Sequence, residues 1–138
     1  MNMFLYKIKG RFCIKVIVKI LMSGILPHRR GDRNMIDSID ILGTKYKFSL
    51  VKDEDFPKSE EGSDGGLTKY YDKEIVINGS VKDECIEDYK RIIRHEIIHA
   101  FFFESGLPEY TQNEQLVDFL AYQIPKMVRI FNKVESEN

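Results

Sequence analysis

The spacing of hydrophobic and polar positions changes along the chain, and the changes mark its elements. In ILGTKYKFSLV, residues 41–51, Tyr46, Phe48 and Leu50 recur at every second position, the alternation of a half-buried strand. A polar stretch follows, with Asp53 to Asp55, Pro57 and the glycine-rich EGSDGG at 61–66, and reads as a loop. Leu67 to Tyr71 and Glu74 to Asn78 are short runs joined at Asp72-Lys73, which predicts a hairpin with Ile75 and Ile77 on one face of its second arm. Ser80, followed by Asp83 and Glu84, predicts the N-cap of a helix that runs to about Ser105, where Gly106 and then Pro108 stop it. A second helix is expected from near Thr111 through LVDFLAYQI, bent or ended around Pro125. The whole predicts an α+β domain, a small antiparallel sheet of about three strands packed on two long helices.

Charge divides the 138 residues in two. Residues 1–34 carry eight basic side chains (Lys7, Lys9, Arg11, Lys15, Lys19, Arg29, Arg30, Arg33) against Asp32, a net of +7, so the remainder is −8 within a total of −1. The acidic body, residues 35–138, is not expected to bind nucleic acid unaided. In the leader, Lys15 and Lys19 cut the apolar run FCIKVIVKILMSGIL well short of a membrane span, and as a helix it would carry a basic stripe suited to an anionic surface. The codons implied by RRGDRN before Met35 resemble a purine-rich ribosome-binding site, so a translation start at Met35 is an equal alternative, and contact with a membrane is expected only if the leader is translated. Cys13 and Cys85 form no C-x-x-C and read as free thiols of a reducing, cytoplasmic compartment. With 43% hydrophobic residues and 16 aromatics, nine Phe and seven Tyr, the chain can build a core without disulfides.

The first predicted helix contains His95-Glu96-Ile97-Ile98-His99, an H-E-x-x-H. Residues four apart lie on one helical face, so the two imidazoles can share a zinc ion, while Glu96 sits beside them, within reach of a water but not in a ligand position. With this composition, roughly 0.006 such matches are expected by chance, so the motif is a specific signal. Ile92, Ile93, Ile97, Ile98 and Phe101 to Phe103 surround it and predict a buried helix, in which two histidines and a glutamate need partners. Hydrogen-bonded core histidines are the plainer alternative.

A catalytic zinc site takes three protein ligands. Phe102 and Ser105 occupy the positions where a third-histidine motif needs Gly and His, which leaves Glu104, Glu109, Glu114 and Asp118. Glu104 falls on the far side of the helix and Glu109 in a loop. Asn113-Glu114-Gln115-Leu116-Val117-Asp118 resembles the N-E-x-x-x-D of the gluzincin metallopeptidases, and the body from about Ile41 to Met127 resembles the small ImmA/IrrE-like zinc metallopeptidases of phages and mobile elements. The resemblance implies a minimal zincin-like domain with one zinc per chain, Glu114 as third ligand and Asp118 as the outer partner of a ligand histidine. It also implies peptide or protein substrates, phage-type repressors among them. Two readings compete with the ligand role: Thr111-Gln112-Asn113-Glu114 is also a capping box, and Asp118 could ligate instead.

On this reading Glu96 is the general base, and Tyr110, with Tyr70 and Tyr71 as alternatives, is the candidate donor to the oxyanion. Ile75, Val76 and Ile77 are expected to form the edge strand on which an extended substrate aligns. Cys85, ten residues before His95 on the same expected helix, lies about 15 Å away along the axis and is excluded as a ligand. The alternative from another class is a metal-stabilised antirepressor or adaptor without catalysis, which has no need of Glu96.

Overall fold

The computed structural model describes residues 37–58 and 65–137. The basic leader, and with it the question of a start at Met35, lies outside the described residues. Four strands form one sheet: β1 (Ser38–Ile41), β2 (Thr44–Val51), β3 (Gly66–Lys69) and β4 (Glu74–Asn78), in the spatial order β1-β2-β4-β3. Helices α1 (Val81–Glu84), α2 (Ile86–Glu104), α3 (Pro108–Thr111) and α4 (Glu114–Ser136) follow. The class is α+β as expected. The sheet differs from expectation in being four-stranded and mixed.

β1 and β2 pair antiparallel across a tight turn at Leu42-Gly43, where φ is 52° and 88°. Two positive φ values in succession match the right-handed twist of the flanking strands. The Gly43 N–H donates to Asp40 Oδ1 at 3.0 Å. The expected alternation in β2 holds, with Tyr46 and Phe48 buried and Lys45 and Lys47 exposed. The expected hairpin is also present, pairing Thr68 with Ile75 and Lys69 with Glu74. Its second arm, however, lies parallel to β2, with Phe48 opposite Ile75 and Leu50 opposite Ile77.

This corrects the expectation that Ile75, Val76 and Ile77 form an edge strand open to a substrate. β4 is hydrogen-bonded on both sides, and the three side chains are 0%, 4% and 0% exposed. A run apolar at consecutive positions is the pattern of an interior strand covered on both faces. β3 is the strand at that end of the sheet.

Ile39, Ile41, Tyr46, Phe48, Ile75 and Ile77 pack against Tyr89, Ile92, Ile97 and Ala100 of α2. Each buried isoleucine contributes about 1.5–3 kcal/mol by leaving water. The opposite side of α2 packs Ile98 against Val117 and Ala121 of α4, with Phe102, Leu120 and Ile124 around them. α2 is therefore the buried helix its apolar residues predict, held between the sheet and α4. Among the described residues no helix is long and apolar enough to cross a membrane.

The single helix expected from Ser80 to Ser105 is broken at Cys85, whose backbone is extended (φ −151°, ψ 108°). Ser80 precedes α1 as expected, but its hydroxyl makes no cap and accepts instead from the Asp53 N–H at 3.3 Å. Nothing in the local sequence explains the break. At its other end α2 stops as expected: Gly106, at φ +73°, donates to the Phe103 carbonyl and Leu107 to that of Phe102, a Schellman closure. α4 is capped by Asn113, whose side chain accepts from the Leu116 N–H at 3.0 Å, and it continues past Pro125 to Ser136.

Candidate metal centre

α2 presents His95 and His99 one turn apart on the side facing α4, and α4 begins with Glu114 opposite them. His95 Nε2 and His99 Nε2 are 2.8 Å apart. Glu114 Oε2 lies 3.1 Å from His95 Nε2, and Glu114 Oε1 lies 3.5 Å from His99 Nε2. The ligand atoms of the three residues all fall within 4.8 Å of one another. In a tetrahedral zinc site with bonds of about 2.0–2.1 Å, neighbouring ligand atoms are about 3.3 Å apart, so this donor set fits such an ion.

The ring of His95 is oriented from behind. Its Nδ1 donates to Asp118 Oδ1 at 2.8 Å, and Nε2 faces Glu114. Glu114 and Asp118, four residues apart on one helical face, both reach His95: Glu114 approaches its Nε2 and Asp118 its Nδ1. His99 is buried, and burial, reinforced by His95, pushes its pKa below the ordinary value, which favours the neutral imidazole that binds metals. Its Nδ1 is buried without a partner of good hydrogen-bond geometry, although the Thr111 backbone lies close enough to favour a proton there.

The capping-box alternative does not form. Thr111 is buried at the end of α3, its hydroxyl donates to the Pro108 carbonyl at 2.7 Å, and Asn113 is the cap, so Glu114 is the first residue of α4 and faces the histidines. The other carboxylates are engaged elsewhere. Glu104 accepts from Thr44 at 2.8 Å, Tyr46 at 2.7 Å and Lys73 at 2.5 Å, at the far end of α2. Glu109 is exposed. Cys85, exposed at the break rather than on α2 itself, takes no part in the cluster.

Glu96 points toward β3 and is buried. The Thr68 hydroxyl donates to its Oε2 at 2.6 Å and lies 3.0 Å from its backbone oxygen. Gly66 faces it too. A Cβ on Gly66 would stand 2.6 Å from both Cγ and Oε1 of Glu96, so no other residue fits there without moving the carboxylate. Burial raises the Glu96 pKa, while the Thr68 hydrogen bond and the nearby His95 oppose the rise.

Of the three tyrosines, Tyr110 is half-exposed and packs on Phe102 at 5.6 Å. Tyr71 is 90% exposed, edge-on to Phe103. Tyr70 differs. It follows Gly66 and Thr68 at the same two-residue spacing, its ring is stacked on Phe103 at 4.8 Å, and its phenol feels the charges of Glu96 and Glu114. Burial, with those two carboxylates, raises its pKa and keeps the phenol protonated as a donor. Of the three, Tyr70 is the one whose phenol is influenced by both Glu96 and Glu114, whereas Tyr110, the first choice from sequence, is half-exposed against Phe102.

Sequence reasoning missed Gly66, Thr68 and Arg91, which holds Asp118. The signals were present. Gly66 was assigned to the loop, yet a glycine opening a strand marks a close approach of another group, and Arg91 stands one turn before His95. Neither family models, curated proteins nor solved structures yielded a match to this chain.

Proposed function

We propose that the chain is a zinc-dependent metallopeptidase of the gluzincin type, with His95, His99 and Glu114 holding the metal. The observation that carries the reading is the support built around Glu96. A purely structural metal site needs its ligands alone, whereas here a carboxylate next to the ligand pair is buried, hydrogen-bonded by Thr68 and fitted against a glycine. Bound zinc would supply an acidified water and polarise the scissile carbonyl.

The chain's residues divide the remaining work. Glu96, its pKa raised by burial, accepts the proton of the attacking water and returns it to the leaving amine. Thr68 holds one carboxylate oxygen, so the other is the one that handles the proton. Tyr70 donates to the oxyanion as it forms. The substrate adds as an extended strand to β3, the terminal strand of the sheet, with Gly66, Thr68 and Tyr70 facing the site.

Metal analysis and peptide turnover of four proteins test this. Wild type should bind one zinc per chain and hydrolyse an unstructured protein such as casein. Glu96→Gln should keep the zinc and lose turnover, Glu114→Ala should bind zinc more weakly, and Tyr70→Phe should keep the zinc with kcat lowered by about 10²–10³-fold. Well-folded wild type without zinc affinity would refute the proposal, and zinc binding with no hydrolysis would favour the adaptor reading.

A further inference from the structure

Arg91, His95 and His99 recur every four residues on α2, and Glu114, Asp118 and Tyr122 do so on α4. The two series meet as rungs of an antiparallel ladder: His99 with Glu114, His95 with Glu114 and Asp118, Arg91 with Asp118 and Tyr122. The first two rungs are the metal centre. The third lies outside it.

Arg91 is only 15% exposed. Its Nη1 donates to Asp118 Oδ1 at 3.1 Å, the same oxygen that accepts from His95 Nδ1 at 2.8 Å. The guanidinium lies 5.5 Å above the Tyr122 ring. Nε is buried without a hydrogen bond, 3.7 Å from Asp88 Oδ1. An arginine placed only to join two helices would set both prongs of its fork on the carboxylate, the stronger arrangement. This one gives up that pairing and bonds the single oxygen that orients a metal ligand.

We infer that Arg91 is a positioning residue of the metal centre, acting through Asp118 to hold the His95 ring and thereby setting the affinity for the metal. The inference rests on the metal-centre reading above. Asp118 is 44% exposed, so without Arg91 its carboxylate is free to turn toward water and His95 loses a fixed acceptor. Tyr122 contributes by keeping the guanidinium plane in place.

The test is zinc affinity of the full chain, measured by competition with a chromogenic chelator, beside urea unfolding of the metal-free protein. Arg91→Met retains the apolar stem and should weaken zinc binding by about 10–100-fold, the range for loss of an outer partner of a ligand. Arg91→Lys should recover part of that loss. Asp118→Asn combined with Arg91→Met should bind no more weakly than Asp118→Asn alone, because Arg91 acts through that carboxylate. Wild-type affinity in Arg91→Met, or losses that multiply in the double variant, would overturn the inference. If Arg91→Met does not fold, Arg91→Gln is read the same way. A wild type that binds no zinc removes the metal-centre reading itself, a distinct result.

Discussion

Glu96 is held by a hydroxyl and by the lack of a side chain. Thr68 fixes one carboxylate oxygen and Gly66 leaves room for the rest, whereas the polar contacts of His95, His99 and Glu114 run among themselves and to Asp118. Gly66→Ala should therefore displace Glu96 without disturbing the ligands. We expect zinc stoichiometry to stay at one per chain, turnover to fall at least 100-fold, and stability to drop by about 1–3 kcal/mol from overpacking. Metal content, kinetics and urea unfolding of one variant check all three. Full turnover in Gly66→Ala would show that the carboxylate has space the packing denies it.

At the scale of elements, α4 carries a proline in its interior and continues for eleven residues beyond it to Ser136. Pro125 has no N–H for the carbonyl of Ala121, which is fully buried. Arg94 of α2 supplies the missing donor, its Nε bonding the Ala121 carbonyl at 2.7 Å. An unsatisfied buried carbonyl costs about 1–3 kcal/mol, so Arg94→Met should lose about that much stability. In a Pro125→Ala background the helix provides its own donor and the loss should shrink. Urea unfolding of the four proteins of this cycle measures the coupling; equal losses in both backgrounds would mean that Arg94 does not serve the proline.

The elements also show what the sequence carried and what it did not. Period-two alternation disclosed β2, and the HEIIH and NEQLVD segments disclosed the His95, His99 and Glu114 cluster, because both signals are local. β1 was missed because SIDI is short and the turn at Leu42-Gly43 carries a single glycine and no proline or Asn-Gly signal to mark it. The parallel pairing of β2 with β4 was missed because a strand's own alternation does not name its neighbour. EIVIN did hold the clue, since Ile75, Val76 and Ile77 are consecutive and a one-sided strand would have a polar residue at 76. The roles of Gly66, Thr68 and Arg91 depend on contacts between elements and become visible only once β3, α2 and α4 are in place.

For the whole molecule, acid stability follows from carboxylates that fold into ion pairs. Glu74 is hydrogen-bonded by Lys69, with Lys47 and Ser49 adding to it against a modest opposing effect of burial, and its pKa is lowered from 4.5 to about 2. Burial alone would raise Glu104, but its bonds to Lys73, Tyr46 and Thr44 outweigh this and lower it. A depressed carboxylate stabilises the fold fully above its unfolded pKa, and the contribution disappears as the pH falls through the folded one. Wild type should thus be more stable than Glu74→Gln at pH 7, with the gap closing between about pH 4.5 and 2. Urea midpoints at pH 7, 4 and 2 give the comparison, in which Glu96, shifted the other way by burial, titrates in both proteins and cancels. A gap that persists at pH 2 would contradict the assignment.

The division of support between β3 and the two helices bears on how this chain could change by descent. On the proposed function the helices carry the ligand set, and the strand carries the base's seat. A lineage under no demand for hydrolysis could exchange Gly66 for a larger residue and keep every letter of HEIIH along with the proposed capacity to hold zinc. A relative's catalytic competence is accordingly better judged at the position equivalent to Gly66 than at the histidines.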